Sequence, residues 1–456
     1  MREFVPVVLG VWVFLSIGLF FVLPGRDAAI TLLLSGWTLL PVAPYPTAVF
    51  DAPVGHGGSM LALAIPGSPV LNRASIIGLG CLLGMILADW PAVRRFRPSR
   101  LDLPIVLWCL IPIASTLANR LPIAWGLAQS RHLALAWGVP YLLGRVYLGD
   151  NESLRRLGKG WVVTGLLAAP FCLLEFAAQP FLYGLVYGEN PYQIVGMRRP
   201  ILYRPMLFAE DGNQLGIWIA TAAVAAVWLR RSRSLGTVLT IPDRLVAPGL
   251  VVLCLLCQSH GSIALLLAAL LGIWLLSRHP ASGKVGSWKV GVMSALILLA
   301  ATSSVAEAAG LRERVRSLFL DLGKQSFTWR LARYQELFGT ALAHPLLGWG
   351  RPDWPLEQGQ TFVDPVSLGL WLFALGMYGT IGLAVSTLVL VLPVVEVWKW
   401  LPARSWLNAT CSGATLAAVL LAVNVADSLF NSTLLLPLLA GAGGMNSWSS
   451  RRYEAY

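Results

Sequence analysis

The segment from Thr328 to Gly382 reads TWRLARYQELFGTALAHPLLGWGRPDWPLEQGQTFVDPVSLGLWLFALGMYGTIG, and the whole chain can be interpreted outward from it. Its second half enters a long apolar run. Just before that run, a Trp-rich connection carries four charged residues: Arg330, Arg333, Asp353 and Asp364. A cluster of charges beside an apolar run is typical of a membrane protein's contact with a polar ligand.

Composition predicts the class of fold. Of the 456 residues, 56% are hydrophobic and only 12% are charged, and the mean hydropathy is +0.68, whereas soluble domains carry about 25% charged residues. Apolar runs of about 20 residues match the ~30 Å hydrocarbon layer, and they are far longer than barrel strands. We therefore expect an all-α, polytopic membrane helical bundle with about 12–13 transmembrane helices, forming one integral membrane domain over residues 1–456.

The candidate spans are 4–23, 28–45, 72–89, 103–119, 122–144, 160–178, 208–229, 245–258, 261–277, 290–306, 366–397, 408–424 and 432–447. The segment from Tyr45 to Arg73 is rich in Pro and Gly, and is interpreted as an outer loop or a re-entrant piece. The run from Val5 to Leu23 has no small-residue cleavage site before Arg26, so it is expected to be a retained span rather than a signal peptide.

Orientation follows from the basic residues. The net charge of +12 comes from cations gathered in short connections, at 90–102, 145–159, 230–244, 278–289, 398–407 and the C-terminus. Such clusters mark the cytoplasmic side of a membrane protein and do not indicate nucleic-acid binding. The same assignment places the loops 179–207 and 307–365 in the periplasm.

The large periplasmic loop 307–365 is predicted to contain an amphipathic helix. Its apolar residues recur at helical spacing: Leu331, Tyr334, Phe338 and Leu342. Pro345 is expected to end this helix, and the sequence HPLLGWG to form a tight apolar turn after it.

Common enzyme motifs are missing from the sequence. There is no Walker A, H-E-x-x-H, G-x-S-x-G or dinucleotide fingerprint, and no D-x-D pair to hold a metal. Cys254 and Cys257 have C-x-x-C spacing but no second pair, so they are interpreted as small buried hydrophobes. The sequence therefore predicts no metal and no cofactor.

Four regions together resemble the bacterial O-antigen ligase and polymerase superfamily, whose members act on polyprenyl-linked sugars. They cover about residues 140–390, and the third is the most specific. In chain order they read CLLEFAAQPFLYGLVYGENPY with RRPILYRPMLFAEDGNQLGIW, CQSHGSIALLLAALLGIWLL, TWRLARYQELFGTALAHPLLGWG, and VDPVSLGLWLFALGMYGTIGL.

The resemblance implies site residues. Arg330 matches the family's arginine and is predicted to bind the donor diphosphate, which a guanidinium does in a bidentate way. The other predicted substrate-binding residues are Arg333, Arg204, Arg199 and Glu175. The family's proposed His base is replaced by Asp364, and its Ser-Arg pair by Ser259 and His260. The predicted catalytic residues are Asp364, His260 and His344.

Each of these residues also has an ordinary structural interpretation. Arg330 and Arg333 fit the wet face of a surface helix, and Asp364 fits an N-cap. His260 fits a polar residue at the membrane edge that hydrogen-bonds Ser259. His344 fits a histidine at the C-terminus of a helix, where the helix dipole stabilises it. Glu175, a charge inside a span, fits an ion pair with a nearby arginine.

The resemblance implies a metal-independent glycosyltransferase in a bacterial inner membrane, with its active face in the periplasm. Its donor is an undecaprenyl-diphosphate-linked glycan, and its acceptor is a lipid for a ligase or another glycan for a polymerase. The sequence does not separate the two. Other polysaccharide-assembly proteins and the lipid bilayer are the further expected partners. The alternatives are a lipid-linked sugar flippase or polysaccharide transporter without chemistry, and a scaffold for an export complex.

Overall fold

The computed structural model describes residues 4–43, 45, 71–188, 190, 198–199, 201–278, 337–351, 354, 369–402, 405–429 and 434–454. Within these ranges the chain is all-helical, and extended backbone occurs only as isolated bridges. The predicted all-α class is confirmed for this part of the chain.

The helices follow in chain order: α1 Phe4–Val22, α2 Gly25–Leu39, α3 Arg73–Ala88, α4 Trp90–Arg94, α5 Leu103–Ala118, α6 Ile123–Leu133, α7 Val139–Tyr147, α8 Asn151–Ala178, α9 Leu182–Tyr187, α10 Gly212–Arg231, α11 Asp243–Leu256, α12 His260–Arg278, α13 Leu370–Trp400, α14 Ser412–Asp427 and α15 Leu438–Glu454. A 3₁₀ turn at Arg100–Asp102 precedes α5, and a π turn at Ala134–Gly138 joins α6 to α7.

Six segments of the described chain are long and apolar enough to cross a membrane: Phe4–Val22, Arg100–Ala118, Asn151–Ala178, Gly212–Arg231, His260–Arg278 and Leu370–Trp400. Shorter apolar helices are Arg73–Ala88 and Ser412–Asp427. On α1, Phe14 and Val22 are 77% and 79% exposed, as suits side chains that face lipid. These helices identify a multi-pass membrane protein.

The predicted spans agree with the helices wherever both are described, but the details differ. The predicted span 122–144 is two helices joined by the π turn, and the predicted span 160–178 begins earlier, at Asn151. Asp150 explains that start, because its side chain accepts the Ser153 N–H and caps α8. The candidate span 290–306 lies outside the described residues.

Only the end of the predicted amphipathic helix is described. Residues 337–342 are helical. They bury Leu337 and Ala341, whereas Leu342, placed on the apolar face by the sequence, is 40% exposed. The rest of that helix, like most of loop 307–365, lies outside the described ranges.

The basic connections meet at one end of the bundle. Tyr147 donates its hydroxyl to Asp89 at 3.1 Å, and Asn151 accepts the Gly413 N–H at 2.8 Å, which joins α7 to the start of α4 and α8 to α14. We call this the basic end, comprising the described parts of 88–102, 145–159, 230–243, 398–413 and 450–454. The helices run from it to an opposite end, comprising the described parts of 39–45, 119–122, 179–211, 256–260, 344–351 and 428–434.

A buried ion pair ties three helices together at the basic end. Arg145 Nε lies 2.7 Å from Asp102 Oδ1, and both side chains are less than 10% exposed. Tyr141 donates to the same carboxylate at 2.6 Å and accepts from Asn446 at 2.9 Å. These charge-assisted bonds hold α5, α7 and α15 together. Loss of either Arg145 or Asp102 would leave the other charge buried without its partner, which is costly.

The long helix α13 is interrupted near the opposite end. Gly379 has φ 67° and ψ −166°, which no helical residue adopts. A Cβ at this position would lie 2.3 Å from the carbonyl carbon of Leu346. Only glycine fits such a backbone and such a close approach. The sequence indicated a single long run here, and the break was not predicted.

The HPLLGWG turn fills that break. Backbone hydrogen bonds join the two segments: Thr380 N–H to the Pro345 carbonyl (2.8 Å), Ile381 N–H to Leu346 (3.2 Å), Trp349 N–H to Gly376 (2.9 Å) and Gly350 N–H to Met377 (3.0 Å). Asn119 of α5 donates to the Gly348 carbonyl at 2.8 Å. The predicted tight turn is confirmed, and its role is to satisfy backbone groups that an interrupted helix exposes.

Candidate functional site

Glu175 organises the opposite end of the bundle. It is fully buried on α8. One carboxylate oxygen accepts the N–H groups of Phe181 (3.1 Å) and Leu182 (3.0 Å), and the other accepts those of Met206 and Leu207, both at 2.8 Å. The carboxylate therefore anchors the start of α9 and the loop before α10. Sequence reasoning predicted a substrate contact or an arginine partner, whereas both oxygens are occupied by backbone donors.

The loop anchored by Glu175 carries Arg199 and Arg204. Tyr203 N–H donates to the Phe176 carbonyl at 3.1 Å, and Gln258 Nε2 donates to the Ile201 carbonyl at 2.8 Å. These bonds hold the loop against α8 and the end of α11. Arg199 is partly buried, and Arg204 is 7% exposed.

Arg204 and His260 belong to the same corner of the structure. Arg204 donates to Asn213 Oδ1, and Ser259 donates to the same oxygen at 3.2 Å. Ser259 lies in the break between α11 and α12, and His260 is the first residue of α12. The break thus places the first turn of α12, and the first turn of α10 that Asp211 caps, beside the buried Arg204 guanidinium.

A second buried cation, Arg73, was missed by the sequence analysis. It is 1% exposed at the start of α3, and its Cζ lies 4.2 Å from the centroid of the Trp37 ring. Its Nη2 donates to Glu210 at 3.0 Å and to Gln214 at 2.7 Å. The only sequence signal was a lone arginine at the start of an apolar run, because Glu210 and Gln214, which accept its hydrogen bonds, lie more than a hundred residues away.

A cavity of about 480 Å³ lies next to this cluster, between α2, α3, α8, α9 and α10. Its walls are apolar for the most part, with Leu167, Phe171 and Leu215 among them. Arg73 and Gln214 also line it. An elongated apolar group fits the walls, whereas the Arg73 guanidinium already pairs with Glu210 and Gln214.

His344 lies in a different place. Its ring packs against Trp349 with centroids 4.0 Å apart, inside the turn that fills the α13 break. Trp349 Nε1 donates to the Thr340 carbonyl at 2.8 Å. The structure therefore groups Glu175, Arg199, Arg204 and His260 around the loop before α10, and assigns His344 to the contact between α5 and α13.

The remaining predicted residues, Arg330, Arg333 and Asp364, lie outside the described residues. Within the described ranges, no group of three or more His, Cys, Asp or Glu side chains is placed to hold a metal ion. Cys254 and Cys257 are buried free thiols there.

No family model, no curated protein and no solved structure matches this chain.

Proposed function

We propose that this chain is a membrane glycosyltransferase of the O-antigen ligase/polymerase type. It acts in a bacterial inner membrane on an undecaprenyl-diphosphate-linked glycan, at the periplasmic face. The glycan is passed to a lipid acceptor or extended on another glycan repeat. The observation that carries the proposal is the apolar cavity walled in part by buried Arg73, next to the loop that holds Arg204.

The chemistry of the donor supports the proposal. An isoprenoid diphosphate has a long apolar chain, which matches the cavity walls. For its anionic head, Arg204 on the neighbouring loop and Arg330 are the proposed contacts. Arginine stays charged when buried and binds phosphate oxygens through two parallel hydrogen bonds. With the leaving diphosphate neutralised in this way, transfer does not require a metal held by the protein.

The acceptor hydroxyl needs a base within hydrogen-bond reach. Asp364 is the first proposed base, from its place at the start of the run that becomes α13. Two of the proposed bases lie in the described part of the chain. His260 follows Ser259, which shares the Asn213 oxygen with Arg204, whereas His344 is packed on Trp349.

The second candidate function is a flippase without chemistry. Transporters use interrupted helices, whose free backbone groups bind the cargo. The break in α13 is a feature of that kind, but the backbone groups of Gly376, Met377, Thr380 and Ile381 are already bonded to the HPLLGWG turn. That observation favours the transferase.

One experiment separates the two functions. The purified protein in detergent micelles, where no membrane exists to transport across, is given a lipid-linked glycan extracted from cells that lack the gene. A transferase releases undecaprenyl diphosphate and lengthens or transfers the glycan, also in excess chelator. Binding of the donor without its consumption, in the presence of both glycan and lipid acceptors, would support the flippase.

A matched pair of variants tests the donor contact in the same assay. Arg330→Lys keeps the charge but loses the two-pronged geometry, so activity falls. Arg231→Gln, an exposed change at the basic end, leaves activity unchanged. Full activity of a folded Arg330→Ala protein would remove Arg330 from the site.

A further inference from the structure

A second cavity, of about 380 Å³, opens at the basic end between α2 and α8. It lies far along α8 from Glu175 and from the site described above. Its lining residues are Asp27, Ile30, Thr31, Glu152, Arg156 and Lys159.

The charges around this cavity do not balance. Arg156 lies 3.2 Å from Asp27 and 3.4 Å from Glu152, and the same two carboxylates also take Arg26 and Arg155. The two carboxylates that line the cavity thus pair with three arginines, and Lys159 is a fourth cation without a countercharge in the described chain. Among the described residues, Lys159 makes no hydrogen bond or ion pair, although Arg155 and Arg156 lie close enough to repel it.

The cavity lies at the level where the membrane-spanning parts of α2 and α8 begin. Below it the two helices touch: a Cβ on Gly160 would lie 2.5 Å from Leu34 Cδ1 and 3.1 Å from Ile30 Cγ2. Beyond Gly160 the sequence of α8 is apolar as far as Ala169, apart from Thr164. The unpaired ammonium group therefore lies at the depth of lipid headgroups, over an apolar floor.

We propose that this cavity binds the phosphate of an anionic glycerophospholipid, with Lys159 and Arg156 as its cationic contacts. A lipid phosphate supplies the negative charge that the site lacks. Basic pockets between membrane helices at the headgroup level are suited to such lipids. A free phosphate is also an anion but gains nothing from the apolar floor or from the position at the membrane edge.

The test uses the full-length protein in detergent, titrated with phosphatidylglycerol or with phosphatidylcholine. Bound lipid is counted by native mass spectrometry, and the shift in thermal unfolding is followed in parallel. We expect phosphatidylglycerol to bind in preference to phosphatidylcholine, and Lys159→Gln to weaken that binding about fivefold, the effect of one cation near a charged surface. Lys159→Arg should bind as the wild type does.

Arg231→Gln is the matched control, since it removes an exposed positive charge at the same end but outside the cavity. An equal loss with Arg231→Gln, or no loss with Lys159→Gln, would overturn the site. In a separate arm, inorganic phosphate replaces the lipid. Stabilisation by phosphate equal to that by phosphatidylglycerol, and lost in Lys159→Gln, would overturn the lipid assignment and leave a site for a free anion.

Discussion

Arg73 and Glu210 form an ion pair of 3.0 Å although 137 residues separate them in the chain, and both are almost completely buried. The pair joins the start of α3 to the polar segment that precedes α10. Because a buried charge is tolerated only with its partner, this contact fixes the wall of the apolar cavity.

Glu210→Gln should therefore destabilise the protein strongly. The change keeps the shape but leaves Arg73 short of its countercharge, and breaking a buried pair from one side costs about 3–5 kcal/mol. Thermal unfolding in detergent measures the effect, with Arg231→Gln as the control. Arg73 Nη1 also donates to the Trp37 and Phe208 carbonyls at 3.3 Å. Wild-type stability of Glu210→Gln would show that these carbonyls and Gln214 suffice for Arg73.

Glu175→Gln separates a structural role from substrate binding. The amide nitrogen would face two of the four backbone N–H groups, and each N–H left without an acceptor costs roughly 1–3 kcal/mol. We expect lower stability and faster hydrogen exchange at residues 201–207. Glu152→Gln, a partly exposed change on the same helix, serves as the control. A variant that folds normally but no longer consumes the donor would instead support the predicted substrate contact.

Gly379→Ala should prevent the HPLLGWG turn from docking. The new Cβ would meet the backbone of Leu346 at 2.3 Å, in a conformation that side chains rarely adopt. The expected result is loss of folded protein in size-exclusion chromatography. Gly272→Ala on α12 has open space around it and should be tolerated. If both variants behave alike, the break in α13 does not depend on glycine.

The predicted orientation is tested by thiol labelling. In a background without the six native cysteines, Gln358→Cys should react with an impermeant reagent in intact spheroplasts. Thr237→Cys, an exposed position in the 230–244 connection, should react only after lysis. The opposite pattern would invert the assignment of the basic end to the cytoplasm.

Asp364 is tested by two substitutions with opposite expectations. As the general base, Asp364→Asn loses about 10²–10⁴ in rate, while Asp364→His recovers part of it because imidazole accepts a proton near neutral pH. If Asp364 is instead an N-cap, Asp364→Asn is tolerated and Asp364→His is not. Turnover of the lipid-linked donor by the purified variants decides the ranking, and His260 becomes the better candidate if Asn behaves as the wild type.

Helix positions were predictable because hydrophobicity alone determines which segments enter a membrane. The helix boundaries were less predictable. The predicted span 208–229 is the helix Gly212–Arg231, because Asp211 caps its start, and a pattern of apolar residues does not show where a capping residue begins a helix. The break at Gly379 was missed because, in a sequence, a glycine that interrupts a helix looks the same as a glycine that allows two helices to pack closely.

The site was predicted only in part, for a related reason. Arg204 and His260 were singled out as charges beside spans, and Arg204 and Ser259, the residue before His260, both donate to Asn213 Oδ1. Arg73 was not, because its importance depends on distant partners in the folded chain. Glu175 was recognised as unusual, but a carboxylate satisfied by four backbone N–H groups leaves no trace in a sequence.

The hydrogen bond from Gly350 N–H to the Met377 carbonyl holds together the two ends of the chain segment between them. Trp354, before residues 355–368, lies against Gly376 of α13, and Gly369, after them, is the N-cap residue of the same helix. A single cut there would leave both fragments attached through the backbone bonds on either side of Gly379. The protein is therefore suited to production as two polypeptides, split near Gln360, which would allow Asp364 to be exchanged on the short C-terminal piece alone.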